Sequence, residues 1–456
     1  MKMPRKLVII GGGVAGTSAA LQARKVDRDA EITLINREKH PEYSRCGLPH
    51  LISGIISKPE SLIVHSQAAL EQMMKIKLLL ETEAVKIDMN EKIVTAKNVR
   101  TNRQTQHPFD SLVLATGAKP STPPIEGLNG KSGVYKLRTL EDAFEIAEAA
   151  RASRSAAILG GSLIGMELAE ALTRLGLKVT LIHRSSEILS PMLDPDMGRL
   201  VRLKAEDEGV KFMLETTILK VAGERKIEAV ETANGEILPV DMLIITTGTD
   251  PDVDLAVRSG LKIGRNRGIV VDSRMCAGVE GVYAAGDCVE YQDAVSGEPS
   301  LIQLGTVAVR MGRVAGANAA GAHEIMPPLA GTTTANLFGL EIGSVGLTMR
   351  DIQRRGLPPP KFGKASTLTK PEYYPGGKPI TMKVLVNPES LKIMGGQAVG
   401  GENVAQRINV LALAIQQNLK IDALMKLETC YAPSVAPIWD PLILSAENAY
   451  RKLKFE

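Results

Sequence analysis

One thiol and two glycine-rich turns are the residues of this chain whose types and spacing could do chemistry. Cys46 lies in Ser44-Arg45-Cys46-Gly47-Leu48-Pro49, between the turns Gly11-Gly12-Gly13-Val14-Ala15-Gly16 and Gly160-Gly161-Ser162-Leu163-Ile164-Gly165. A residue without a side chain lets the backbone approach a pyrophosphate, and a helix that follows points its free N–H groups at that anion. Each turn follows a short apolar run, at 6–10 and 156–159, and precedes an alanine-rich helical pattern. That context separates a dinucleotide fingerprint from an ordinary tight turn. Two such turns predict two bound dinucleotides, hence an electron relay in which one carrier is resident and the other exchanges.

Cys46 stands beside Arg45 and at the start of a predicted helix, with Pro49 near a first-turn position. A helix N-terminus and a guanidinium both favour a thiolate, so the sequence predicts a lowered pKa for this sulfur. The competing reading is a small buried hydrophobe, a common fate of free cysteine. The other cysteines, at 276, 288 and 430, form no CxxC pattern and no metal-ligand spacing with it. Neither a metal site nor a disulfide framework is expected, and His50 is read as a pocket or surface residue. Cys46 must therefore pair with something brought to it, either a thiol giving a mixed disulfide or an oxygen atom giving a sulfenic acid.

The elements that would position these groups follow from periodicity and turn chemistry. Residues 6–10 and 31–35 read as parallel strands around a helix at 16–24, and 111–114 reads as a buried strand ending at Ala115-Thr116-Gly117. Pro120, Pro123 and Pro124 mark a linker. A second strand–helix–strand unit runs over 156–182, with its helix at 165–175 and its second strand at 178–182, and a strand at 241–246 precedes Gly248. The chain then returns through Gly281-Val282-Tyr283-Ala284-Ala285-Gly286-Asp287, which implies an insertion. From Pro327 the pattern changes to strand-like alternation at 380–386 and an amphipathic helix at 404–417. The expected class is α/β: two Rossmann-like dinucleotide-binding domains, the second inserted in the first, plus an α+β C-terminal dimerisation domain. The expected boundaries are 1–120 with 247–326, then 121–246, then 327–456.

A chain of 456 residues has room for three such domains. Its net charge of +4 is interspersed and only 3% of its residues are aromatic, which argues against a nucleic-acid partner. Apolar runs such as 410–415 fall far short of the roughly 20 residues that cross a bilayer, so no membrane partner is expected. A first strand at Lys6 leaves no room for a signal peptide, and the expected location is cytoplasmic.

In this order the pieces resemble the flavin-dependent pyridine nucleotide-disulfide oxidoreductases. The resemblance is greatest to the single-cysteine branch that contains coenzyme A-disulfide reductases, NADH oxidases, NADH peroxidases and persulfide reductases. It rests on both glycine turns, Cys46, Ala115-Thr116-Gly117, Glu167 and Gly286-Asp287. In the tail it rests on Tyr373-Tyr374-Pro375-Gly376, Tyr431-Ala432-Pro433 and Trp439-Asp440-Pro441. The resemblance implies FAD in the N-terminal fold, held by Gly11, Gly13, Ala15, Gly16, Asn36, Arg37, Ala115, Thr116, Gly117, Gly286, Asp287, Gly305 and Thr306. It implies NAD(P)H as an exchangeable co-substrate at Gly160, Ser162, Ile164, Gly165, Glu167, His183, Arg184 and Gly248. It also implies a catalytic Cys46 served by Tyr374 and Tyr431 from the partner subunit of a homodimer. Arg45 would contact substrate, and Arg24 and Lys25 would lie near the phosphates of a coenzyme A substrate.

Some residues depart from that pattern. Asn36 stands where a glutamate usually meets the FAD ribose, and its amide oxygen can still accept a hydroxyl without the charge. His183 and Arg184 stand where an NADH user carries an acid, which predicts use of NADPH at least as well as NADH. Ser162 replaces the middle glycine of the second turn, where its hydroxyl would either meet the pyrophosphate or crowd the turn. Val14 occupies the place of the histidine found in the oxygen and peroxide branches, which favours sulfur chemistry. The expected function is a flavoprotein oxidoreductase passing electrons from NAD(P)H through FAD to Cys46 and then to a small disulfide, with coenzyme A disulfide first and persulfide or polysulfide second. The alternatives are an NAD(P)H oxidase reducing O2, an electron-transfer reductase for an iron-sulfur or rubredoxin-like partner, and a redox sensor without turnover.

Overall fold

A computed structural model describes residues 3–455. Buried, β-branched runs build its first parallel sheet, in the order Val282–Ala284, Ser111–Leu114, Lys6–Ile10, Glu31–Ile35 and Ile76–Leu79. Between Ser111–Leu114 and Val282–Ala284 the chain makes an entire second parallel sheet. Its order is Lys211–Met213, Lys178–Ile182, Ser155–Leu159, Met242–Ile245 and Val134–Lys136. The inserted arrangement read from the glycine turns is thus the observed one. In both sheets the first strand of the unit lies where strand order reverses, and the crevice beyond its carboxyl end is where a dinucleotide binds in such folds.

Two helices cover the first sheet with their backbones nearly in contact. Val14–Val26 packs on Gly305–Ala319 so closely that a Cβ on Gly312 would sit 2.2 Å from the Ala15 carbonyl oxygen. The third unit is an antiparallel sheet, ordered Thr333–Leu337, Leu340–Gly346, Ile393–Gly400, Pro379–Val386 and Lys361–Leu368, with helices Val404–Gln416 and Pro441–Phe455 packed on it.

The third unit docks on the second through a buried ionic cluster. Lys383, 5% exposed, reaches Asp194 at 2.9 Å and Asp196 at 2.8 Å, while the Gln397 side-chain oxygen accepts the Asp194 N–H at 2.8 Å. Such a cluster fixes orientation, because removing one member leaves a buried charge uncompensated. No helix among the described residues is long and apolar enough to cross a membrane.

Candidate active site

The two glycine turns are built alike. Gly11 N–H donates to Ile35 O at 2.8 Å and Gly160 N–H to Ile182 O at 2.9 Å, tying each turn to the neighbouring strand. A Cβ on Gly16 would lie 1.9 Å from Gly11 O, and one on Gly165 would lie 2.0 Å from Gly160 O, so only glycine lets each helix start against its own strand. A Cβ on Gly13 would meet nothing within 4 Å, which leaves that backbone open to an incoming group.

Both turns face one continuous cleft of about 1910 Å³. Gly11, Gly13, Ala15, Asn36, Arg37, Ala115, Thr116, Gly117, Gly286, Asp287, Gly305 and Thr306 line it, whereas Gly16 is buried behind them. The residues present fit FAD. Helices Val14–Val26 and Gly305–Ala319 both begin at the cleft, and their free N–H groups suit a pyrophosphate. Asn36 donates its amide to His40 O at 2.9 Å, which leaves its side-chain oxygen without a protein hydrogen bond among the described residues and available to a ribose hydroxyl.

Cys46 opens onto the same cleft from a 3₁₀ turn, Arg45–Gly47, that runs into helix Leu48–Ile52 with Pro49 in its first turn. The turn is held from outside its own segment. Arg45 pairs with Glu38 at 2.6 Å and donates to Arg138 O at 2.6 Å and Tyr43 OH at 3.1 Å, while Tyr43 donates to Glu38 at 2.6 Å. Burial disfavours the Arg45 charge, but Glu38 and Tyr43 outweigh that and hold its pKa above the ordinary value.

This arrangement corrects the lowered pKa predicted for the thiol. Burial pushes the Cys46 pKa up, and the carboxylates of Glu167 and Asp287 push it further. The backbone N–H of its own turn and the Arg138 guanidinium pull only partly the other way. The guanidinium adjacent in sequence is committed to Glu38. The cation that assists the sulfur, Arg138, lies 3.4 Å from Asp287 and comes from a distant segment.

In the inserted domain, Ile164, Glu167, His183, Arg184 and Gly248 line the cleft with Gly160, Ser162 and Leu163. Ser162 fits the turn without crowding it. Its hydroxyl accepts the Gly165 N–H at 3.3 Å and donates to Thr246 O at 3.0 Å, so it caps helix Leu163–Arg174. His183 is not half of a basic pair. Its Nδ1 accepts the Gly161 N–H at 3.1 Å, and burial together with the charges of Arg184 and Arg350 lowers its pKa, leaving a neutral imidazole. Glu167, in the first turns of helix Leu163–Arg174, has its pKa pushed up to about 7 by burial and by Glu170.

Arg24 and Lys25 do not line this cleft. Arg24 donates to the carbonyls of Met74 at 3.0 Å, Arg28 at 2.7 Å and Lys75 at 2.8 Å, which makes it a clamp on the first domain rather than a free phosphate contact. Tyr374 and Tyr431 also lie outside the cleft, exposed on the third domain. The Tyr431 hydroxyl meets that of Tyr373 at 2.8 Å. Sequence reasoning missed Glu38, Tyr43 and Arg138. The first two stand close to Cys46 in the chain and were legible as polar residues, but Arg138 is brought there only by the fold. Among the described residues no cluster of three His, Cys, Asp or Glu could hold a metal ion.

Comparison with known proteins gives a consistent result. Residues 5–312 match the pyridine nucleotide-disulphide oxidoreductase family, and residues 332–441 match that family's dimerisation domain. The chain is 38% identical over 450 residues to an NADH oxidase of Methanocaldococcus jannaschii, spanning 98% of this chain and 99% of the relative. It is 34% identical over 458 residues to an NAD(P)H sulfur oxidoreductase (CoA-dependent) of Pyrococcus abyssi, spanning 100% and 99%. The solved structure of an NAD-dependent persulfide reductase from A. fulgidus matches with a TM-score of 0.94 at 35% identity, over 98% of this chain and 83% of that one.

Proposed function

The chain belongs to the pyridine nucleotide-disulphide oxidoreductases, and from that premise we propose that it is a dimeric flavoenzyme that reduces a low-molecular-weight disulfide or persulfide at Cys46. The observation that carries this reading is a single thiol in a cleft lined by both glycine turns. The sulfur names of the Pyrococcus and A. fulgidus relatives support it, and coenzyme A disulfide is the first candidate substrate.

FAD, when bound at the first glycine turn, supplies the two-electron step between a nicotinamide and a sulfur. The residues of the chain do the rest. The Cys46 thiolate attacks one sulfur of RS–SR, forming Cys46–S–SR and releasing RS⁻, which takes up a proton. Two electrons then cleave the mixed disulfide, returning Cys46 as a thiolate and releasing the second thiol. Within one protomer Cys288 is fully buried and neither Cys276 nor Cys430 lines the cleft, so Cys46 has no thiol of its own chain to pair with there. Tyr374 and Tyr431, delivered by the partner subunit, would hold the substrate sulfur or donate the proton to the leaving thiolate, and Tyr373 would act through its hydrogen bond to Tyr431. Arg184, with no acid beside it after strand Lys178–Ile182, favours NADPH.

A second reading, reduction of O2, has the Methanocaldococcus relative's name in its favour. One experiment separates the two. Cys46→Ser is expected to abolish NAD(P)H-dependent reduction of coenzyme A disulfide and to retain any oxygen consumption. Full disulfide turnover in that variant would overturn the sulfur reading. An intact-mass increment of coenzyme A size on Cys46, lost on reduction, would identify the substrate.

A further inference from the structure

Beside the main cleft a smaller pocket of about 300 Å³ opens, sharing Ser185, Ser190 and Arg350 with it. Its walls come from two domains. Ser185 and Ser190 lie in the loop after strand Lys178–Ile182, whereas Arg350 belongs to helix Met349–Arg354 of the C-terminal unit. The loop is fastened to the second glycine turn by the Leu189 N–H, which donates to Gly161 O at 2.7 Å. The helix is fastened to the inserted domain by the Met349 N–H, which donates to Asp194 at 2.9 Å.

We propose that Arg350 joins Arg184, Ser185 and Ser190 in a subsite for the 2′-phosphate of NADPH, so that the dimerisation domain takes part in choosing the nucleotide. The inference rests on the NADPH reading above and adds to it a residue outside the nucleotide-binding fold.

Charge distribution carries the argument. Two carboxylates line the smaller pocket and each has a cation beside it, Glu187 with Arg202 at 3.0 Å and Asp194 with Lys383 at 2.9 Å, while Asp351, in the wall of the main cleft, pairs with Arg354 at 3.0 Å. Arg184 and Arg350 have no acidic partner among the described residues. Arg350 makes one weak contact, to the Ser190 hydroxyl at 3.5 Å. Arg184, Ser185, Ser190 and Arg350 all line the main cleft together with His183, the residue at the ribose position. Two unmatched guanidinium groups with two hydroxyls form a donor set for a dianion, and guanidinium groups bind phosphate through paired N–H donors. A nucleotide with a free 2′-hydroxyl gives those charges nothing to neutralise.

The test uses the holoenzyme and two redox-inert probes, 2′-phospho-ADP-ribose and ADP-ribose, titrated by calorimetry. The wild-type protein is expected to prefer the phosphorylated probe by at least about tenfold, and Arg350→Gln and Arg184→Gln are each expected to lower that ratio about tenfold. Ser190→Glu, which places a carboxylate in the pocket and removes no major packing, should lower it as well. Raising the salt concentration should shrink the wild-type preference more than that of either arginine variant. If Arg184→Gln lowers the ratio and Arg350→Gln and Ser190→Glu leave it at the wild-type value, the role of Arg350 is overturned while the NADPH reading stands. If the wild-type protein binds both probes equally, both are overturned.

Discussion

Arg45 Nη2 lies 2.6 Å from Glu38 Oε1, so the cation next to Cys46 in sequence is tied to a carboxylate beyond the end of strand Glu31–Ile35. This pairing braces the turn that carries the thiol and leaves the sulfur's protonation to Arg138, Glu167 and Asp287. Glu38→Gln removes the charge of the brace, and Arg45 is then left without its acidic partner. Both groups are only partly buried, so the expected loss of stability is about 2 kcal/mol, read by urea unfolding.

The thiol chemistry has a defined pH signature. Because burial and two carboxylates raise the Cys46 pKa, thiolate is the minor form at neutral pH, and alkylation of the reduced protein should quicken toward about tenfold per pH unit above pH 8. Between pH 6 and 8 the rise should be shallower, because Glu167 ionises near pH 7 and its new charge holds the proton on the sulfur. Glu167→Gln should remove that shallow region and speed alkylation at pH 8 by about threefold. Iodoacetamide labelling followed by mass spectrometry measures both effects.

The tyrosine hydroxyls bonded to each other predict coupled behaviour. Tyr373→Phe and Tyr431→Phe should each lower kcat for disulfide reduction about tenfold, and the double variant should be no slower than the worse single one. Independent, multiplying losses would show that the two hydroxyls do not act as a unit.

The ionic cluster between the second and third units gives an acid-sensitive term. Burial opposes the Asp196 charge, but Lys383 and Lys364 outweigh it and hold the pKa below the ordinary carboxylate value. A depressed carboxylate contributes stability above its unfolded pKa and loses it as pH falls through the folded value, so this contribution should fade below about pH 4. Lys383→Ala should cost about 3 kcal/mol at pH 7, because it leaves Asp194 buried and unpaired, and should show a smaller further loss in acid.

The close approach of the two helices over the first sheet predicts a cofactor defect from a single methyl group. Gly312→Ala places a Cβ against the Ala15 carbonyl, forces the helices apart, and disturbs the two N-termini that meet the pyrophosphate. The expected result is a lower ratio of flavin absorbance to protein absorbance after gel filtration, with a stability loss of about 1–3 kcal/mol.

The strands that carry the nucleotide sites were legible because each is a short, mostly buried apolar run, and those at Lys6–Ile10 and Ser155–Leu159 lead directly into the glycine turns. Those at Lys6–Ile10, Glu31–Ile35, Ser111–Leu114 and Lys178–Ile182 fall on the residues expected. The alanine-rich pattern predicts a first helix from about 16, and the structure starts it at Val14, because the turn that meets the anion already belongs to the helix. The antiparallel sheet of Thr82–Asp88, Ile93–Asn98 and Gln104–Pro108 was not seen, since Gln104–Pro108 is largely polar and exposed and gives no alternating signal. The site was legible in its backbone and in its sulfur. Its electrostatics differ from the sequence expectation where a neighbouring cation is committed elsewhere, as Arg45 is to Glu38, and where burial keeps His183 neutral beside Arg184.

The edge strand Val282–Ala284 and the helix Gly305–Ala319 are translated only after the inserted unit is finished, and this orders events on the ribosome. A growing chain carries a complete nicotinamide fold while Ser111–Leu114, apolar and fully buried at maturity, still waits as an open edge. Flavin capture therefore falls late in biosynthesis, and a stall before codon 282 exposes a strand primed for mispairing with another nascent chain.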